Sequence, residues 1–154
     1  EMAEKLGAAL TDEAEAIHTR ALAGEKVPRE VLKSARPLYE MAQDVGFTSS
    51  SARGKTAFIE GLAELESKAW KQAEQHFTEA SKADGTNREY AYFRALALLQ
   101  QGDRKQALKL LETDLKDDPR TATLRVAQAL SESPAAGADE LEKLLFEARN
   151  PEAK

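Results

Sequence analysis

Apolar residues in the first fifty positions recur at helical rather than strand spacing. Leu6, Leu10, Ala14, Ile17 and Ala21 follow one another at steps of four, four, three and four, which draws a single apolar stripe along a helix ending near Gly24. After the turn from Gly24 to Val27, Pro28 suits the start of a second helix. Val31, Ala35, Leu38, Ala42 and Val45 continue its stripe toward Gly46. Pro37 falls inside that stripe, where the missing amide donor predicts a kink or a restart near Arg36. Ser49, Ser50 and Ser51 then mark a break and offer an N-cap to the helix beyond. Alternating runs of β-branched residues are absent throughout, so the expectation is all-α.

From residue 52 onward the chain repeats itself with a shift of 34 residues. Gly61 falls on Ala95 and Ala129, Ala63 on Ala97, Ala73 on Ala107, Phe77 on Leu111, and Gly85 on Pro119. Small residues meet small ones, as close helix pairs require. Gly102-Asp103 splits the second unit, and Lys68-Ala69 stands at the same place in the first. Thr86 with Glu89 reads as a capping box, and Thr121 as a further cap. Each unit is thus a predicted helical hairpin. The third is degenerate: one helix from about Thr121 to Ser131, a turn over Pro134 to Gly137, and a last helix carrying Leu141, Leu144, Leu145 and Ala148.

Gly61, Trp70, Ala73, Phe77 and Ala80 in the first unit, and Ala95, Gly102, Asp103, Ala107 and Pro119 in the second, resemble the tetratricopeptide repeat, a 34-residue helix-turn-helix. The resemblance covers about two thirds of the chain, with Leu111 in place of the usual aromatic and Asp114 where a small residue is usual. It implies a right-handed α-solenoid of about three hairpins, residues 52–85, 86–119 and 120–153, preceded by an N-terminal helical hairpin over residues 1–50 that packs on them. Trp70 is then expected to pack between hairpins. In such a solenoid the first helix of each hairpin lines the concave side. That places Phe58, Leu62 and Leu65, then Tyr92, Leu96 and Leu99, then Val126 and Leu130 in one apolar row. Members that clamp a terminal carboxylate carry lysine and asparagine in this groove, whereas Phe58 and Leu62 stand here. The row is therefore suited to an apolar or amphipathic segment of a partner protein. The N-terminal hairpin or a second copy of the chain are the other covers for it, and a homo-oligomerisation domain is the alternative function.

Charge narrows the partners. The net charge of -5 is spread along the chain, with 9 acids against 6 bases in residues 1–50 and 18 against 16 in the rest. Without a concentrated basic field, nucleic acid is not an expected partner, and no apolar run is long enough for membrane insertion. The absence of cysteine removes thiol chemistry and suits the cytoplasm, the favoured compartment, as well as the periplasm.

Candidate chemistry is sparse. Arg53-Gly54-Lys55-Thr56 ends like a phosphate loop but has Ser49 where that loop needs glycine and no strand before it, so it reads as a first helical turn. His18 and His76 belong to no metal or nucleophile motif and read as structural. Asp114, Asp117 and Asp118 lack the spacing of a calcium loop and read as solvated turn residues. The expectation is a binding module with no catalytic residues, no cofactor and no metal.

Overall fold

The computed structural model describes residues 1–116, and these residues are all helical, with no strand among them. They form α1 (Met2–Leu22), α2 (Arg29–Asp44), α3 (Ala52–Glu66), α4 (Trp70–Ala83), α5 (Arg88–Gln100) and α6 (Arg104–Glu112). The chain divides into two compact units, Glu1–Thr86 and Asn87–Lys154. The expected third hairpin lies outside the described residues.

In the first unit α1 packs on α2, α2 on α3, and α3 most extensively on α4. The α1 stripe is buried at Ala14, Ile17 and Ala21, while Leu6 at its start is exposed. In α2 the buried line runs through Leu32, Ala35, Tyr39 and Ala42, turned one position from the expected stripe at Val31 and Leu38. Tyr39 accounts for the turn: its ring is buried and its hydroxyl donates to Glu15 Oε1 of α1 at 3.1 Å. Helix α2 also continues unbroken through Pro37 instead of restarting at Arg36. Pro37 and Lys33, whose carbonyl loses its helical donor, are both exposed, so water can satisfy that oxygen.

The α3–α4 hairpin is closed by small residues. A β-carbon at Gly61 would stand 2.5 Å from the Phe77 ring, and one at Gly54 would stand 2.8 Å from Ala83 Cβ. Ala73, Phe77 and Ala80, the α4 residues facing this contact line, are all fully buried. The repeat's small positions thus bring the two helices together closely enough to leave no room for a larger side chain.

The 34-residue period reappears in the backbone. At the end of α3 the Lys68 N–H donates to the Leu65 carbonyl at 3.0 Å and the Ala69 N–H to the Glu64 carbonyl at 2.9 Å. At the end of α5 the Gly102 N–H donates to Leu99 at 3.1 Å and the Asp103 N–H to Leu98 at 2.9 Å. These are the same bonds one repeat later, the six-to-one and five-to-two pattern that closes a helix on a left-handed residue. Gly102 fills that place with φ +86°, and Lys68 is held there at φ +59°.

In the second unit α5 packs on α6. Asn87, not Thr86, caps α5 by accepting the Glu89 N–H at 3.1 Å, while the Thr86 hydroxyl is drawn back to Asp84 at 2.7 Å. Asp103 caps α6 by accepting the Gln106 N–H at 3.2 Å. Nine residues of α5, from Tyr90 to Leu99 with only Arg94 excepted, are buried, as a helix apolar on nearly all sides must be.

Candidate protein-binding site

The first three residues of the apolar row lie on α3 and meet different surroundings. Phe58 is wholly buried, its ring 5.6 Å from the His18 imidazole of α1 and 5.9 Å from the Phe77 ring of α4. Leu62 and Leu65, one and two turns further on, are only partly buried. On α5, Tyr92, Leu96 and Leu99 are 1%, 9% and 4% exposed, with the Tyr92 ring edge-on to Phe93 at 5.5 Å. Val126 and Leu130 lie outside the described residues. Of the row, then, Leu62 and Leu65 present accessible apolar surface, and Phe58 presents none while α1 is seated.

Trp70 opens α4 and is only partly buried.

Two polar networks that the sequence did not signal hold the N-terminal helices to α3. In the first, Glu15 of α1 receives the Lys55 ammonium on one oxygen and the Tyr39 hydroxyl on the other. His18 sits one turn beyond Glu15, buried against Phe58. Burial, with Lys55 adding its positive charge, lowers its pKa to about 4 against the weaker opposing pull of Glu15, so the ring is neutral at pH 7.

In the second network, Arg36 of α2 donates from Nε and Nη2 to the two oxygens of Glu60 at 2.5 and 2.8 Å. This bidentate bond, more than the carboxylates around it, holds Arg36 in its charged form. His76 of α4 completes the network, with Nδ1 2.6 Å from Glu64 and Nε2 3.5 Å from Glu60. Among the described residues no cluster of histidine and carboxylate side chains has the arrangement to hold a metal ion.

The Arg53-Gly54-Lys55-Thr56 stretch is the first turn of α3, as its sequence suggests. Gly54 packs against Ala83, Lys55 pairs with Glu15, and Thr56 is buried. Beside it opens a polar cleft of about 390 Å³, walled by Thr11 of α1, Arg36 and Gln43 of α2, Arg53 and Thr56 of α3, and Glu79 of α4. Its two arginines already carry carboxylate partners: Glu60 for Arg36, and Glu79 for Arg53 at 2.9 Å. The charges lining the cleft are therefore close to balanced.

No described helix is long and apolar enough to cross a membrane. No curated protein and no solved structure matches the chain. A family model does match, over residues 64–132, taking in the end of α3, all of α4, α5 and α6, and the segment beyond. The model is that of the tetratricopeptide repeat, and together with the hairpins, the small-residue contact at Gly61 and the helix-end bonds that recur after 34 residues it supports a helical repeat protein of that family.

Proposed function

We propose that this chain is an adaptor that performs no chemistry and holds an apolar or amphipathic segment of a partner protein against the first helices of its repeat hairpins. Repeats of this family generally mediate protein–protein interaction and are typically not enzymes. In this reading residues 51–154 are the binding repeats and residues 1–50 a hairpin that caps them. The observation that carries it is the partial exposure of Leu62 and Leu65 on the α3 face whose repeat-equivalent positions are Leu96 and Leu99. Two leucines one turn apart form an anchor that an amphipathic helix or an extended apolar segment can complete. The sequence row continues it at Phe58, Tyr92, Val126 and Leu130.

One observation favours a second reading. His18 of α1 already covers Phe58, so the row is filled at that end by the chain's own N-terminal helices. On this reading the remaining apolar surface joins two copies of the chain, as a homo-oligomerisation domain.

Affinity capture from the source lysate with the wild-type chain and with Leu65→Glu, accompanied by light scattering of both baits, tests the two. A protein held by the wild type and lost by Leu65→Glu, with both baits monomeric, supports the adaptor. A wild-type dimer that Leu65→Glu turns into monomer supports the second reading. If the two baits capture the same proteins and have the same mass, the α3 face is not a binding surface.

A further inference from the structure

A threonine inside a helix can turn its hydroxyl back on the carbonyl four residues before it. Thr11 does so to Gly7 and Thr78 to Glu74, each at 2.9 Å. Thr56 does not. It is only 7% exposed, yet its hydroxyl has no hydrogen-bond partner among the described residues and opens into the polar cleft beside α3. A hydroxyl enclosed to this degree is normally paired, so its partner has to enter from the cleft, as water or as a group of a ligand.

The walls of the cleft define the chemistry of such a ligand. They carry Arg36 and Arg53 against Glu40 and Glu79, so a net charge on the ligand meets as much repulsion as attraction. Hydrogen-bonding capacity nonetheless remains on both sides. Arg53 gives Glu79 only its Nε, at 2.9 Å, which leaves both Nη groups to donate and one Glu79 oxygen to accept. The Gln43 side-chain amide, without a partner among the described residues, adds a further donor and acceptor. Phe47 and Ala57 supply apolar lining beside them. A hydroxyl both donates and accepts, and two hydroxyls on adjacent carbons match a donor and an acceptor held side by side. The volume of about 390 Å³ lies in the range of small-ligand sites. We propose that the cleft binds a neutral saccharide, whose hydroxyls pair with Thr56, Gln43 and the Arg53–Glu79 couple and whose C–H face lies on Phe47. The site is separate from the apolar row: Arg53 and Leu62 are nine positions apart, two and a half turns, and so stand on opposite sides of α3.

Amide NMR spectra of the full chain, titrated separately with glucose, mannose, galactose and N-acetylglucosamine, test this. At least one sugar is expected to give saturable shifts confined to the amides around Gln43, Phe47 and Thr56. Thr56→Val, which keeps the shape of the side chain, and Gln43→Ala, at an exposed position, should each weaken that sugar about fivefold to tenfold. Glucose 6-phosphate and glucosamine, as charged counterparts, should bind no more tightly than the best neutral sugar. The cleft is not a saccharide site if no neutral sugar shifts these amides, if the shifts fail to saturate, or if neither variant weakens them. A charged sugar that binds more tightly than every neutral one, or N-acetyl-trialanine amide binding where the sugars do not, equally overturns the proposal. Leu65→Glu should leave the sugar titration unchanged, so the saccharide site and the adaptor reading stand or fall separately.

Discussion

The Phe77 ring lies across Gly61 at a distance that leaves no room for a β-carbon: one added there would stand 2.5 Å from the ring. Both residues are buried in the α3–α4 contact, and the next repeat replaces the pair together, with Ala95 for the glycine and Leu111 for the phenylalanine. A larger small residue goes with a smaller large one. Gly61→Ala is therefore expected to destabilise the chain by about 1–3 kcal/mol through overpacking. The double variant Gly61→Ala with Phe77→Leu should lose less than the sum of its two single changes. Urea unfolding of the four chains checks this, and strict additivity would show that the two side chains do not compete for the same space.

Lys68 carries a backbone conformation that its side chain disfavours. Its φ of +59° matches the +86° of Gly102 one repeat later, and the helix-end hydrogen bonds are the same. A lysine in the left-handed region costs about 1–2 kcal/mol, of which the greater chain entropy of glycine returns roughly 0.5–1 kcal/mol. Lys68→Gly should accordingly raise stability by about 0.5–1 kcal/mol, read as a higher urea midpoint at unchanged slope. A lower midpoint would mean that the lysine side chain makes a contact that outweighs the backbone strain.

How much could be read from sequence follows from the range of each signal. The hairpins, the 34-residue period and the small positions at Gly61, Ala73 and Ala80 were legible because they depend on small residues, turns and apolar spacing within one repeat, whereas the seating of the Phe77 ring on Gly61 came only with the structure. The α5 cap was misplaced by one residue because Thr86 and Asn87 are both good caps, and Asp84 decides between them by binding the Thr86 hydroxyl. Tyr39 was missed as a buried residue because its partner Glu15 stands 24 positions earlier. The Lys55–Glu15 pair spans 40 positions, and no periodicity links residues that far apart outside the repeats. For the same reason the apolar row could be drawn, but the covering of Phe58 by His18 could not.

His18 ties stability to pH. In the unfolded chain its pKa is the ordinary 6.5, and in the folded chain burial, aided by Lys55, lowers it to about 4. Between these values the unfolded state binds the extra proton, so the contribution is complete above about pH 7 and is lost as pH falls through 6.5 toward 4. With allowance for solvent screening, the loss is on the order of 1–2 kcal/mol. Stability of the wild type minus that of His18→Gln, followed from pH 7.5 to 4.5 or so, isolates this residue from the carboxylates that titrate nearby. A difference that stays constant over that window would place the imidazole in water, not against Phe58.

Leu65 and Leu96 are both candidate contact residues, yet the same substitution should act on them in different ways. Leu96 is 9% exposed and its neighbour on the row, Tyr92, 1% exposed, whereas Leu65 keeps an accessible face. A carboxylate forced into the place of Leu96 loses its hydration, which is expected to cost about 3 kcal/mol or more, enough to unfold much of its unit. At Leu65 a glutamate can turn its charge to water, and the melting midpoint should move little. Thermal melts followed by circular dichroism separate the two. If Leu96→Glu instead melts like the wild type, α5 must be able to present that face to solvent, and the accessible part of the row extends beyond Leu62 and Leu65 to the helix where the repeat is most apolar.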